Sequence, residues 1–233
     1  MKFVFMIVLT VLTLTICLKA QDSKLIIVKA GTWIFNYFPE EERYRYPDFA
    51  EGQVQFKDGN VSTGWFNYNF LTGEMEYIQL PDTLFIVNRR KISLIAIEQD
   101  TFYYHNGYLE LIYDSPVKVG LKQYFRLREV LKKGAFGTTA RGVSIDTYIR
   151  VPRGNSAVWI QNEDLVYQKT QKYYFSTPNN DFIRFSRKNV MLSFPKRKDI
   201  IKEYLKSKIV DFSSADDLIR LADFLCSILP PAV

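Results

Sequence analysis

The sequence predicts a mainly β fold: an antiparallel sandwich or curved sheet with two C-terminal helices. Three observations carry that reading. Glycine-containing turn dipeptides recur between runs of strand-forming residues. Inside those runs apolar and polar residues alternate, which is the period of a strand buried on one face. After residue 192 the apolar spacing changes to three and four, the period of a helix.

The chain opens on a segment that does not belong to this pattern. Lys2 precedes the apolar run Phe3–Leu18, and Ala20 stands before Gln21 at a small-residue cleavage position. This is the layout of a secretory leader, so residues 1–20 are expected to be a cleaved signal peptide. The apolar run is shorter than the roughly 20 residues of a membrane-spanning helix. A retained anchor, or a lipoprotein signal at Cys17 despite the bulky Ile16 before it, are the rival readings. No membrane span is expected after cleavage.

The meander Phe56–Ile78 is the clearest part of the body. Asp58-Gly59 and Thr72-Gly73 are its turns. Between them Phe66, Tyr68 and Phe70 share one face, and Trp65, Asn67 and Asn69 share the other. Val54 and Phe56 alternate with Gln53 and Gln55 before it, and Met75 and Tyr77 with Glu74 and Glu76 after it. Asn106-Gly107 predicts a further hairpin, with His105 placed opposite Tyr108. Ser144–Val151 alternates cleanly, and two more runs, Leu165–Ser176 and Asp181–Ser186, flank the turn Pro178-Asn179-Asn180. The runs Lys24–Val28 and Ile92–Ile97 are continuously apolar, as central strands covered on both faces are. Roughly ten to twelve strands result, with no repeat period.

In the tail, Pro195 suits a first helical turn. Ile200, Ile201, Tyr204 and Leu205 cluster on one face of the helix that follows. Ser213 and Ser214 are candidate caps of a second helix, whose stripe is Leu218, Leu221, Ala222 and Leu225. The expected organisation is therefore a leader at 1–20, an antiparallel β body at 21–192, and a helical pair at 193–233 packed on that body.

Composition narrows the chemistry. The leader removes Lys2 and Lys19 from the 31 basic residues, leaving an excess of about four over the 25 acidic ones. That balance favours acidic surfaces without marking a nucleic-acid binder, and export argues against nucleic acid too. Past the leader the chain has one cysteine, Cys226, and one histidine, His105. One thiol forms no internal disulfide, and the two residues cannot assemble a zinc site of the His/Cys type. Cys226 sits in the apolar helical stretch as a small hydrophobe, and His105 reads as an exposed turn residue. No metal, cofactor or catalytic residue is assigned. Glu74, Glu76, Asp114 and Asp146 are the carboxylates that a glycan hydrolase would have to bring together.

Two candidate ligand sites remain. Trp65, with Asn67 and Asn69, makes a polar-aromatic face suited to a glycan. The loop Leu131–Ser144 combines Gly134, Gly137 and Gly142 with Lys132, Lys133 and Arg141, a composition suited to an anion nest, although it matches no phosphate-loop motif. As a plain connection it needs only Phe136 as an anchor.

The stretch Lys132–Gly137, KKGAFG, and the tail Ser193–Leu225 resemble segments of uncharacterised exported, β-rich proteins of Bacteroidetes-type bacteria. The resemblance implies residence in the periplasm or at the outer membrane and carries no activity or site residue with it. In a bacterium the sequon Asn60-Val61-Ser62 has no role. The expected function is that of an exported, non-enzymatic cell-envelope protein that binds or scaffolds a partner protein, at a sheet edge or at the helix pair. A glycan-binding module is the alternative, and a carboxylate-dependent glycan hydrolase the further one.

Overall fold

The computed structural model describes residues 25–133, 139–142, 159–160, 163–177, 179 and 181–229. The expected leader and the predicted strand Ser144–Val151 lie outside them.

The body is a twelve-stranded sheet in which every neighbouring pair is antiparallel. In chain order its strands begin with β1 (Leu25–Val28); β2 (Thr32–Trp33) belongs to a separate two-stranded ribbon. After the short helix α1 (Glu40–Arg43) come β3 (Ala50–Phe56), β4 (Val61–Asn69), β5 (Glu74–Gln79) and β6 (Asp82–Phe85). Then follow β7 (Ile92–Ile97), β8 (Asp100–Tyr104), β9 (Tyr108–Tyr113) and the long β10 (Val119–Lys133). β11 (Thr139–Gly142) folds back on β10, and β12 (Trp159–Ile160) pairs with β2. β13 (Glu163–Ser176) and β14 (Phe182–Arg184) complete the strands. The sheet runs β1-β13-β10-β9-β8-β7-β3-β4-β5-β6 and is not closed.

Local chemistry explains the hairpins. At Asn106-Gly107 both residues have positive φ, 49° and 120°. The connection between β8 and β9 is the three-residue loop His105–Gly107, and asparagine and glycine are the residues that tolerate positive φ best. The register places Tyr104, not His105, opposite Tyr108; His105 lies in the turn, with its ring 5.9 Å from that of Tyr174.

The sheet is strongly curled. The Phe125 N–H donates to the Phe70 carbonyl at 2.8 Å, and the Tyr68 hydroxyl donates to the Gln123 carbonyl at 2.8 Å. The end of β4 thus meets the middle of β10, which β9 leaves after Leu121. Inside the curl lie Phe66, Tyr68, Phe70 and Met75, as their alternation predicts, together with Ile95, Ile97 and Phe102. β7 is central but covered on this one face, not on both as its continuous apolar run suggested. The segment before β3 fills the remaining space. Phe38 is fully buried and meets Phe125 and Tyr167 edge-on, at 4.7 Å and 5.3 Å between ring centres.

A second core joins the sheet to the helices α2 (Arg187–Ser193), α3 (Lys198–Ser207) and α4 (Ala215–Ile228). Leu218, Leu221, Ala222 and Leu225 of α4 and Ile201 of α3 are completely covered, against Val117, Val119 and Phe175. Each of these leucine and isoleucine side chains contributes about 1.5–3 kcal/mol by leaving water. Ser214 caps α4, accepting from the Asp217 N–H.

Three local expectations are corrected. α2 was not predicted; its start is marked by Ser186, whose side chain accepts from the Asn189 N–H. β1 is an edge strand with Leu25 and Ile27 exposed, because a short apolar run looks the same at an edge as at a centre. Ile200 points outward, while Ile201 and Leu205 carry the buried stripe of α3.

Candidate partner-binding groove

β10 and β13 form the longest pairing in the molecule, from Val119↔Phe175 to Lys132↔Glu163. On its far side β13 is flanked twice. β1 covers Leu165–Gln168, and β14 covers Tyr174–Ser176. Between them, Lys169–Lys172 is a stretch of about four residues along which no described strand runs; beyond it the Tyr173 carbonyl already accepts from the Phe185 N–H at 2.8 Å. At roughly 3.4 Å per residue the stretch is about 14 Å long.

A groove of about 1080 Å³ opens at this stretch and continues to Arg187 and Asn189 of α2. Its lining is strongly basic. Arg126, Arg128, Lys169, Lys172, Arg184 and Arg187 border it, against Glu42 as the carboxylate. None of these six cations forms an ion pair with a described residue. Two of them lie over aromatic rings: Lys169 Nζ is 3.9 Å from the centre of Phe70, and Lys172 Nζ is 5.2 Å from that of Tyr124. Burial pushes the Lys169 ammonium below its ordinary pKa; Glu42 pulls it back and Arg45 pushes it further down. Lys122, opposite Lys172 in the pairing but outside this groove, donates to the Asn106 carbonyl, and the pKa of its ammonium is lowered by burial and by that neighbouring charge.

No protein-family model, curated protein or solved structure matches this chain. The site therefore has to be read from its own residues.

The residues singled out in the sequence are dispersed. Trp65 is half exposed on the outer face of β4, as expected. Asn67 and Asn69 are not on an open face: they are 1% and 3% exposed. The physical reason is the segment Tyr44–Asp48, which crosses that end of β4. The Tyr46 N–H donates to Asn67 Oδ1, and Asn67 Nδ2 donates to the carbonyls of Tyr46 and Asp48. Asn69 Nδ2 donates to Glu76, and its Oδ1 accepts from the N–H groups of Leu71 and Thr72. Lys132 and Arg141 belong to paired strand, with Lys132 opposite Ala140 and Leu131 opposite Arg141. Lys133 faces Thr139 in the same ladder. The connecting glycines Gly134 and Gly137 lie outside the described residues.

Among the described residues, the carboxylates singled out in the sequence, Glu74, Glu76 and Asp114, do not converge on one cleft. Glu74 is 3.0 Å from Arg89 in a buried pair. Glu76 accepts from the Tyr44 hydroxyl at 2.7 Å and from Asn69, and burial pushes its pKa up. Asp100 and Glu110 both bind Arg45. Asp114 pairs with Lys118, and Asp146 lies outside the described residues. No group of three or more His, Cys, Asp and Glu side chains is arranged around a common metal position among the described residues. Cys226 is partly buried, and its Sγ accepts from the Val117 N–H at 3.3 Å. Among the described residues no helix is long and apolar enough to cross a membrane.

The cations of the groove escaped sequence reasoning because they come from β10, β13, β14 and α2. In the sequence they alternate with core residues and look like ordinary solvated strand faces.

Proposed function

We propose that the chain is an exported cell-envelope protein, periplasmic or outer-membrane-associated in a bacterium, that performs no chemistry and holds a partner protein. The partner's contribution is an acidic, extended segment seated in the groove between β1, β14 and α2. One observation carries the reading: six cations that form no ion pair with a described residue border a stretch of β13 along which no described strand runs. A sheet edge is a template for an added segment, and complementary charge selects which segment is taken. The leader-like start of the chain and the likeness of its tail to exported Bacteroidetes-type proteins support the location.

The test is fluorescence anisotropy with a labelled, aspartate- and glutamate-rich decapeptide. The expected result is saturable binding that weakens about tenfold in Arg184→Glu/Arg187→Glu. The same loss of charge on α3, in Lys202→Glu/Lys206→Glu, leaves the affinity unchanged. Equal weakening by both pairs reduces the effect to net charge and overturns the assignment. Tighter binding of an acidic polysaccharide than of the peptide overturns the protein partner.

A further inference from the structure

The outer face of β4, β3 and β7 lies away from the basic groove and has the opposite character. A shallow groove of about 1070 Å³ is bordered there by Trp65, Glu51, Gln53, Thr63, Asp48 and Glu98. No lysine or arginine borders it among the described residues. Trp65 is 50% exposed, a large apolar ring standing on regular strand. Register places Glu51 directly opposite Trp65, and Gln53 opposite both Thr63 and Ala96. These side chains therefore share one face, and the small Ala96 keeps the floor low. The floor spans two interstrand distances, about 10 Å. Among the described residues, no side chain hydrogen-bonds to those of Glu51, Gln53, Thr63 or Glu98.

We infer that this face binds a neutral oligosaccharide, with Trp65 as its stacking platform and Glu51, Gln53 and Thr63 as its hydrogen-bonding row. A sugar ring offers an apolar C–H face to the indole and hydroxyls that both donate and accept. Carboxylates accept only, whereas glutamine and threonine do both, so the row matches a mixed hydroxyl pattern. The three carboxylates repel an acidic sugar. A cationic peptide is the rival occupant on charge alone. Recognition of a cation by rings uses several of them around the charge. Of the aromatic residues bordering this groove Tyr46 is buried and Phe49 half-buried, which leaves the Trp65 indole as the exposed ring, beside Gln53 and Thr63 as neutral donors and acceptors. The inference is independent of the basic groove.

The test is nitrogen-15 NMR of the full chain, with the Trp65 indole signal assigned through Trp65→Phe. The probes are the neutral hexasaccharides cellohexaose, mannohexaose and chitohexaose, the acidic hexagalacturonate, and a hexalysine peptide. At least one neutral probe shifts the indole signal, and Trp65→Ala weakens that binding tenfold or more. Arg184→Glu/Arg187→Glu leaves it unchanged, which separates this site from the partner-binding groove. The inference is overturned if no neutral probe shifts the Trp65 signal, if binding survives Trp65→Ala, or if hexalysine binds more tightly than every sugar. Trp65 is exposed, so loss of binding with an otherwise unchanged spectrum reports the site and not the fold.

Discussion

The side chain of Asn67 grips the backbone of Tyr46 at both ends, with the Tyr46 N–H donating to Oδ1 at 3.1 Å and Nδ2 donating to the Tyr46 carbonyl at 2.9 Å. An amide is the side chain that mimics a neighbouring strand's backbone, offering one acceptor and one donor together. This pair fastens the entry segment over the end of β4 and explains why a polar residue at a strand-face position is buried.

Replacing Asn67 by alanine strands the Tyr46 N–H and carbonyl in the interior. Each buried group left without a partner costs about 1–3 kcal/mol. The expected loss for Asn67→Ala is about 2–4 kcal/mol, read as a lower urea midpoint. A loss below about 0.5 kcal/mol would show that the entry segment is not held by this contact.

The Glu74–Arg89 pair gives a second test. Both side chains are largely shielded, at 8% and 14% exposure. Removing Glu74 takes the counter-charge from the largely shielded Arg89 guanidinium, at a cost of about 3–5 kcal/mol. Glu74→Ala is therefore expected to be strongly destabilising. Glu74→Leu combined with Arg89→Met is expected to recover most of that loss, as a double-mutant cycle measures.

Glu76 sets a pH dependence of unusual sign. Burial raises its folded pKa above the ordinary 4.5, against the opposing hydrogen bonds from Tyr44 and Asn69. The folded chain then binds the proton more tightly than the unfolded chain. Its contribution is most favourable below about pH 4.5 and falls as pH rises through the window up to the folded value. Denaturation of wild type and Glu76→Gln across pH 4 to 8 is expected to show wild type losing ground to the variant in that window. A difference that stays constant with pH, or wild type gaining as pH rises, contradicts it.

Much of the fold was legible because strand and helix faces are written locally. Phe66, Tyr68 and Phe70 are buried where alternation puts them, and Leu218, Leu221, Ala222 and Leu225 where helical spacing puts them. Alternation assigns a residue to a face, however, and does not say what crosses that face. It placed Trp65, Asn67 and Asn69 together; the segment around Tyr46 then covered two of them and left Trp65 in the open. The continuous apolar run of β1 likewise gave no sign that it lies at an edge. The row Glu51, Gln53 and Thr63 was readable only once strand pairing set each opposite its neighbour.

By itself, the order of residues determined the Phe56–Ile78 meander with its turns and its inward face, the hairpin at Asn106-Gly107 and the stripe of α4, because each follows from interactions between residues close along the chain. Tertiary structure alone decided which stretch of β13 lies between β1 and β14, and that Arg126, Lys169, Arg184 and Arg187 border one space. Those relations join segments tens of residues apart, and the curl of the sheet that brings them together is set by packing over its whole surface.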